Sequence, residues 1–568
     1  MAVAFAAADT YVVVLSLPDM MGSVGLGVDQ LQRAAPIVSG FLLGYVAMLP
    51  LIGRIADLRG RTPVLVAALL VFAFGSLVTA SAYDLGSLVT GRFLQGVGGG
   101  GLVPVTLALV ADLYPADRRG LPLGVVGAVQ ELGSVIGPLY GAVVISFGTW
   151  RDIFWINLAA GLVLAAAITV LTRNSESPRR RRLEYPGLLL LGMTLTALLL
   201  VMRQPRALVS SVSLGGPFVP FHGSGVIWWS PIGLVTVGLA VLLITRLLLA
   251  TRPMVDLRDW WRSAREADLV GAGLLAVALG GIILAFATAD PEVQVLSPAG
   301  PWYLAVAAVA ALFFLRHNTR SSTPLVPHGA FVRRPAWGSM VVSFFVGAAL
   351  IAALVDIPIF ARITVADGSQ IKAALVLVEF LVALPVGALL GGVLTRRVAA
   401  GTVATTGMVL AAVGFWWMAG WGPDSLHDLS SSVVLATTGL GFGLALAPVN
   451  AALLASTDDA VHGVTSALLV VSRMVGMLVG ISALTTIGLR RYYAVESGIP
   501  SPNAVCPDGR TRCAAYTRLI EQAGIEQLQA IFIGAAICAV VAGLAAAVCF
   551  RGAPTRGVTP DRTLLGTR

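Results

Sequence analysis

The sequence predicts an all-α polytopic membrane protein, two six-helix bundles with two helical hairpins inserted between them. Three observations carry that expectation. The 568 residues are 57% hydrophobic and only 12% charged, about half the charge of an ordinary soluble domain. The apolar residues fall in long runs: Val64–Ala80, Gly98–Val110, Ser432–Thr457, Gly463–Ser472 and Met474–Leu489 hold no charge. Most of the 38 Lys+Arg sit in short loops between such runs. Runs near 20 residues match a hydrocarbon core about 30 Å thick. Disorder, a collagen repeat, a disulfide scaffold and a soluble enzyme are excluded.

In chain order, spans are expected at about 1–22, 35–56, 62–82, 86–112, 120–146, 153–172, 184–203, 227–250, 268–289, 301–316, 336–357, 371–395, 402–421, 432–456, 462–489 and 528–550. That makes about sixteen transmembrane helices, with fourteen as the fallback. An even count places both termini on one side. The loops holding Arg54, Arg59, Arg61, Arg118, Arg119, Arg173, Arg179–Arg182, Arg252, Arg258, Arg262, Arg265, Arg316, Arg320, Arg333, Arg334, Arg396 and Arg397 far outweigh the opposite ones. Basic loops stay in the cytoplasm, so both termini of this multi-pass plasma-membrane protein are expected there. The same bias accounts for the net charge of +9 without nucleic acid, since no soluble basic face with interleaved aromatics is present. No cleavable signal is visible at the start.

Internal repetition sets the domain plan. Leu183–Arg262 and Ala267–Arg334 each read as two apolar runs followed by Pro-Met/Leu-Val and a basic stretch. MLPLIG at Met48–Gly53 and ALPVGA at Ala383–Ala388 echo each other in the second span of each six-helix block. The division is therefore 1–175, an N-terminal bundle; 176–334, a linker with hairpins 183–262 and 267–334; 335–550, a C-terminal bundle with an outer loop at 490–527; and 551–568, a cytoplasmic tail. Two similar halves around a cavity are the plan of many secondary transporters.

Glycine patterns mark where helices approach closely, because small residues let backbones touch in lipid. The loop after span two, GRIADLRGRT, offers Gly53, Asp57, Arg59, Gly60 and Arg61 as a conformational charge latch. Span four begins GRFLQGVGGGG, with Arg92 and Gln95 one turn apart and Gly96 beside them. Span five carries ELGSVIGPLYG, in which Gly133, Gly137 and Gly141 repeat every four residues next to Pro138. That spacing leaves a smooth face for a sliding partner helix. The plain alternatives are a solvated basic loop and simple close packing.

Together these strings resemble the major facilitator superfamily. GRIADLRGRT is similar to its first signature, with Leu58 and Thr62 where basic residues are usual, and the span-five string resembles its antiporter signature. DTYVVVLSLP at Asp9–Pro18 and WRDIFWIN at Trp150–Asn157 look like motifs of its drug:proton antiporter branch with fourteen helices. The branch's middle helix pair is matched best by Ala267–Arg334, leaving Leu183–Arg262 as extra. Within the branch, DTYVVV, QELGSVIGPLYG, WRDIFWIN, FLVALPVGA and RMVGMLVG resemble mycobacterial exporters of triacylglycerols and drugs. The resemblance implies a periplasmic lipoprotein carrier as a partner.

Ionisable residues inside spans stand out independently. Each costs about 2.5–3.5 kcal/mol at mid-bilayer, so each needs a partner or a wet cavity. Asp9, Glu131 and Arg473 are expected to form one proton-coupling cluster, since protonating an acid weakens its hold on the arginine; a static buried ion pair is the alternative. Asp356 and Glu379 are secondary candidates. Cys506 and Cys513 bracket PDGRTR in the outer loop, where a local disulfide is favoured; Cys538 and Cys549 read as core. No zinc-type Cys/His spacing, phosphate loop, HExxH or GxSxG occurs, so no metal, no cofactor and no enzymatic activity are expected, with protons as the coupling ion.

The expected function is proton-coupled export of a lipophilic cargo, a triacylglycerol-like lipid favoured over multidrug efflux without a lipid role. A transporter-shaped, non-transporting partner of an envelope complex is a further alternative. One proton crossing about 150 mV supplies about 3.5 kcal/mol, which sustains about a 300-fold cargo gradient.

Overall fold

The computed structural model describes residues 2–26, 31–172, 184–211, 215–221, 226–250, 253–287, 297–365, 370–506, 513–553 and 555, with only the backbone described at a few helical positions, Pro138 among them. The loop cations Arg173, Arg179–Arg182 and Arg252 and the tail beyond residue 555 lie outside the described residues. Every extended regular element described is a helix. The N-terminal half comprises α1 (Ala2–Ser23), α2 (Leu31–Arg59), α3 (Arg61–Ala80), α4 (Leu85–Leu113), α5 (Gly120–Phe147) and α6 (Trp150–Thr172). Between the halves lie α7 (Tyr185–Arg203), α8 (Pro231–Leu249), a short α9 (Leu257–Glu266), α10 (Leu269–Ala287) and α11 (Gly300–Arg320). The C-terminal half comprises α12 (Arg334–Thr364), α13 (Gln370–Leu394), α14 (Ala400–Met418), α15 (Leu429–Ala455), α16 (His462–Glu496) and α17 (Ala514–Cys549). Fourteen helices among the described residues are long and apolar enough to cross a membrane. Helices α1 and α5, of 22 and 28 residues, complete the N-terminal six.

Local chemistry sets the helix starts. Asp84 accepts the Ser87 N–H at 2.8 Å while the Ser87 hydroxyl accepts the Asp84 N–H at 3.2 Å, a reciprocal cap for α4. Ser230 accepts the Gly233 N–H at 3.2 Å, and Pro231 occupies the first turn of α8. Outward-facing side chains stay apolar, as Val163, Leu171 and Leu544 are, because their solvent is lipid.

The two halves use one packing scheme. In the N-terminal half the first helix lies on the fifth, the second and third on the fourth, and the third on the sixth; the C-terminal half repeats all four pairings. Across the halves, α2 packs on α16 and α5 on α13, second helix against fifth in both directions. The backbone contacts of glycines between the halves gather at one end. There Gly53 meets Gly463, Gly120 meets Gly392, and a Cβ on Gly124 would lie 2.6 Å from the Ala388 carbonyl. The halves are closed at that end.

The two inserted hairpins share a lock. Glu184, just before α7, pairs with Arg246 of α8 at 2.9 Å and accepts the Met254 N–H at 2.7 Å. Asp268, just before α10, meets His317 of α11 at 2.8 Å and accepts the Leu325 N–H at 3.2 Å. Arg246 and His317 each precede the Pro-Met/Leu-Val string by the same number of residues. The hairpins differ in their surroundings. Helix α10 lies along α2 and α16, on the seam between the halves. The α7–α8 pair touches the N-terminal half through Trp228, which donates to the Tyr83 hydroxyl at 2.9 Å, and Arg203, 5.7 Å above the Trp155 ring.

The basic stretch at 257–266 lies outside the expected spans and is a helix, because Asp256 caps it by accepting from Arg258 and Asp259. Helix α16 runs on to Glu496 and α17 begins at Ala514, so both spans continue beyond the membrane, as the helical spacing of Tyr516, Leu519, Ile520, Ala523 and Leu528 favours. At 35 and 36 residues each is about 50 Å long, roughly 20 Å more than a membrane core requires.

This topology puts Val219, 63% exposed between α7 and α8, at the end opposite Arg396, exposed after α13. Cysteines placed singly at the two positions should react with an impermeant maleimide from opposite faces of the membrane. Labelling from the same face would overturn the crossing of α7.

Candidate functional site: a charge network, an interhalf ion pair and a latch

Asp9 in the middle of α1 is 3% exposed, and its carboxylate is fully used. Arg92 donates to Oδ2 at 2.9 Å, Gln95 to Oδ1 at 3.4 Å, and Asn157 also donates to Oδ1. Arg92, 1% exposed, donates to Gln95 Oε1 at 2.9 Å and has its guanidinium 4.4 Å above the Phe41 ring. Gln95 in turn donates to Ser76 at 2.8 Å and accepts from Thr79 at 3.2 Å. Helices α1, α3, α4 and α6 are thus joined by one buried charged network. Gly96 supports it, because a Cβ there would strike the Phe41 carbonyl and push α4 off α2.

Glu131 and Arg473 form the second charged site. Glu131 Oε1 lies 4.0 Å from Arg473 Nη1, with both side chains about nine-tenths buried. The pair joins α5 to α16 and so spans the two halves. Two small clefts adjoin it. Arg473, Val103 and Gln130 line both; beyond them one is walled by residues such as Leu107, Leu446 and Val449, the other by Phe41, Leu350 and Met477. The ion pair lies where the two clefts adjoin, in a lining that is mostly apolar but includes Gln130, Ser343 and Asn450.

The single cluster expected from Asp9, Glu131 and Arg473 is therefore two. Asp9 takes its arginine from α4, because Arg92 lies beside it within the same half, while Arg473 pairs with Glu131 across the seam. The glycine face of α5 connects them. A Cβ on Gly133 or Gly137 would strike the carbonyl of Ala4 or Ala8, and one on Gly141 would lie 2.6 Å from Val12 Cγ2. The partner of that face is α1, the helix that carries Asp9; the Pro138 side chain lies outside the described residues.

The latch closes the end where the halves meet. Asp57 Oδ1 accepts the Gly463 N–H at 2.7 Å and Oδ2 the Val464 N–H at 2.9 Å, capping the first turn of α16. Arg61 pairs with Asp57, lies 3.2 Å from Asp112 and donates to the Asp459 carbonyl at 3.0 Å. Gly60 turns the chain at φ 93°, where a side chain would be strained. Arg59 does not join the latch: its guanidinium lies 4.5 Å above the Trp260 ring and donates to Ser263 at 3.4 Å, both on α9. Arg119 takes a place there instead, 3.8 Å from Asp459.

Of the secondary candidates, Asp356 is buried in α12 and Glu379 is exposed on α13; neither makes an ion pair among the described residues. Cys506 and Cys513 are disulfide-bonded. Asn157, Ser76 and Arg119 escaped the sequence reading. Asn157 ends the WRDIFWIN string and so had a signal, whereas Ser76 and Arg119 have none short of the fold.

Two pseudo-equivalent bundles, closed at one end and holding an ion pair between mostly apolar clefts, define a membrane transporter and not an enzyme. The chain belongs to the major facilitator superfamily, whose family model, described as Major Facilitator Superfamily, matches residues 1–315. It is 34% identical over 566 residues to a triacylglyceride transporter of Mycolicibacterium hassiacum, covering 96% of this chain and 90% of that one. It is also 34% identical over 522 residues to a triacylglyceride transporter of Mycobacterium tuberculosis, covering 89% and 85%. Among solved structures, the human organic anion transporter MFSD10 superposes with a TM-score of 0.52 at 13% identity, covering 96% of this chain and 97% of that one. The proton:xylose symporter XylE gives 0.51 at 13%, covering 94% and 92%; both likenesses are of fold alone.

The latch makes a steric prediction. A Cβ on Gly463 would strike the Gly53 carbonyl and approach Asp57 Oδ1 to 2.7 Å. Gly463→Val should cost the closed end about 1–3 kcal/mol, lowering its population about 5- to 150-fold relative to the open one. The distance between spin labels at Arg118 and Arg396, exposed on either side of that end, should lengthen. An unchanged distance distribution would show that the backbone contact does not set the state.

Proposed function

We propose that this protein exports a triacylglycerol-like lipid across the cell membrane in exchange for protons, and that a periplasmic lipoprotein receives the cargo. The observation that carries the reading is the Glu131–Arg473 pair, a charged contact between the halves beside two mostly apolar clefts. Protonating Glu131 removes its charge and loosens that contact. The mostly apolar walls suit a lipid tail, and the names of the mycobacterial relatives point to the same cargo class. With the latch end in the cytoplasm, as the basic loops favour, the closed latch corresponds to an outward-directed state, with both termini inside.

Asp9 enters through α1. While charged it holds Arg92, Gln95 and Asn157; once protonated it accepts from Arg92 less strongly, and α1 is freer against the glycine face of α5. Glu131 lies two residues from Gly133 on that helix, so a proton on Asp9 bears on the ion pair through backbone packing. The long outer ends of α16 and α17 suit delivery. Tyr516, Leu519, Ile520, Ala523 and Leu528 are half-buried or buried while Thr517, Arg518, Glu521 and Gln522 are exposed. Arg491 donates to Glu526 at 2.6 Å across the pair. An apolar-sided projection serves a lipid that cannot enter water.

In proteoliposomes with an imposed pH gradient, Asp9→Asn and Glu131→Gln should each slow lipid export about 5- to 150-fold, the span of a coupling energy of about 1–3 kcal/mol. Arg473→Ala should also lower thermal stability, because it strands a buried carboxylate. Wild-type export by the Asp9→Asn/Glu131→Gln double variant would refute the proton route.

Replacing Arg490–Glu526 by a short turn should cut delivery of labelled triacylglycerol while sparing proton-driven efflux of a small fluorescent drug. Equal loss of both would assign the projection to folding. Undiminished lipid delivery would remove it from the cargo path, and drug efflux without lipid transport in the intact protein would leave multidrug antiport as the function.

A further inference from the structure

Helix α9 plays no part in the transport route, yet its position is fixed from both sides. Short connectors tie it to α8, which ends at Leu249, and to α10, which begins at Leu269. Both neighbours are long and apolar enough to cross the membrane, so the ten residues of α9 lie at the bilayer surface at the latch end. One side is committed to protein. Trp260 packs against the apolar cluster that contains Ala56 and Val64 and lies beneath the Arg59 guanidinium, and Ser263 accepts from Arg59.

The other side has no protein cover among the described residues. At about 100° per residue, Trp261, Arg265, Arg258 and Arg262 fall on one contiguous arc, and all four are exposed. Arg265 lies 5.4 Å above the Trp261 ring. Three acids flank the arc: Asp256 is occupied as the helix cap, Asp259 meets Arg262 at 3.2 Å, and Glu266 is exposed at the helix end beside Arg262, so the arc itself carries the three guanidinium groups. Guanidinium forks match phosphate oxygens, and an indole at their edge is the side chain that favours the headgroup level.

We propose that α9 is a binding site for anionic phospholipid headgroups, and that a bound headgroup holds the latch closed through Arg59. Neutralising the outer arc seats α9 on the membrane surface. Trp260 and Ser263 then fix Arg59, and through the Gly60 turn they fix Arg61, which reaches Asp57 and Asp459. The proposal takes from the functional reading only the membrane placement of the helices. Its readouts are lipid retention and a distance, so it stands or falls separately from the cargo.

The test compares the full-length protein with an Arg258→Gln/Arg262→Gln/Arg265→Gln variant. Purified in detergent with equal phosphatidylglycerol and phosphatidylcholine, the wild type should retain the anionic lipid at least about fivefold more than the variant does, by native mass spectrometry. Spin labels at Arg118 and Arg396, with Cys538 and Cys549 replaced, should report a larger closed fraction in phosphatidylglycerol nanodiscs than in phosphatidylcholine ones. The triple variant should lose that difference, and Arg59→Gln should lose it while still retaining lipid. If the triple variant does not fold, Arg262→Gln alone should show a partial loss of both. Equal lipid retention by wild type and variant, or a lipid-dependent distance that survives in the variant, would overturn the proposal. Inorganic phosphate should change neither readout; reproduction of the shift by phosphate would make this a general anion site and defeat the lipid assignment.

Discussion

Asp57 caps the first turn of α16 from the far half of the protein, and it reaches that turn because Gly53 and Gly463 let two helices touch backbone to backbone. The exposed N–H groups at a helix start favour a carboxylate, and the helix dipole adds to the attraction. Supplying that carboxylate from another helix makes the cap conditional on the two halves being together. Arg61 then balances the acid and reaches the Asp459 carbonyl, so a single turn of chain satisfies groups on both sides of the seam. The contact is strong when closed and every partner in it regains water when open, as a reversible closure requires.

The buried charges divide by whether their partner lies in the same half. Asp9 and Arg92 move together, and their hydrogen bonds persist through any rigid rotation of one half against the other. Glu131 and Arg473 belong to different halves, so the same rotation changes their separation. One site is preserved by the motion, and the other can be broken by it. The helix pair α1–α5 joins the two sites, with carbonyls of one helix seated against the glycines of the other.

Much of this was legible in the sequence. Span positions followed from charge-free runs, and the costly residues Asp9, Glu131 and Arg473 were visible because charge is rare in such runs. Pairing was less legible, since which arginine faces Asp9 depends on helix rotation that apolar sequences hardly encode. Arg92 was seen as a helix neighbour of Gln95, not as the partner of Asp9. Arg59 read as part of the latch because it sits two residues from Arg61, but the turn at Gly60 sends the two side chains to different partners. Helix α9 was hidden for a different reason: a ten-residue helix at a membrane surface carries neither the length nor the continuous apolarity of a span, and only its cap at Asp256 signals a start.

The two inserted hairpins argue that duplication and function have parted. Glu184–Arg246–Met254 and Asp268–His317–Leu325 place an acid, a basic side chain and a backbone N–H at matching points, so each hairpin closes by the same chemistry. A lock of that kind is internal and holds wherever the hairpin is docked. Contacts with the rest of the protein are not internal, and there the two differ. Helix α10 has small residues where it must lie close: a Cβ on Gly280 would come within 2.8 Å of Leu43 on α2, and one on Gly281 within 2.7 Å of the Tyr303 carbonyl on α11. The first hairpin presents Val235, Val241 and Leu242 to its surroundings, all at least half exposed, and touches the N-terminal half by its outer loop and by Arg203. Of the two helix pairs, only α10–α11 lies among the described residues along the seam formed by α2 and α16, where it is in a position to feel the halves move.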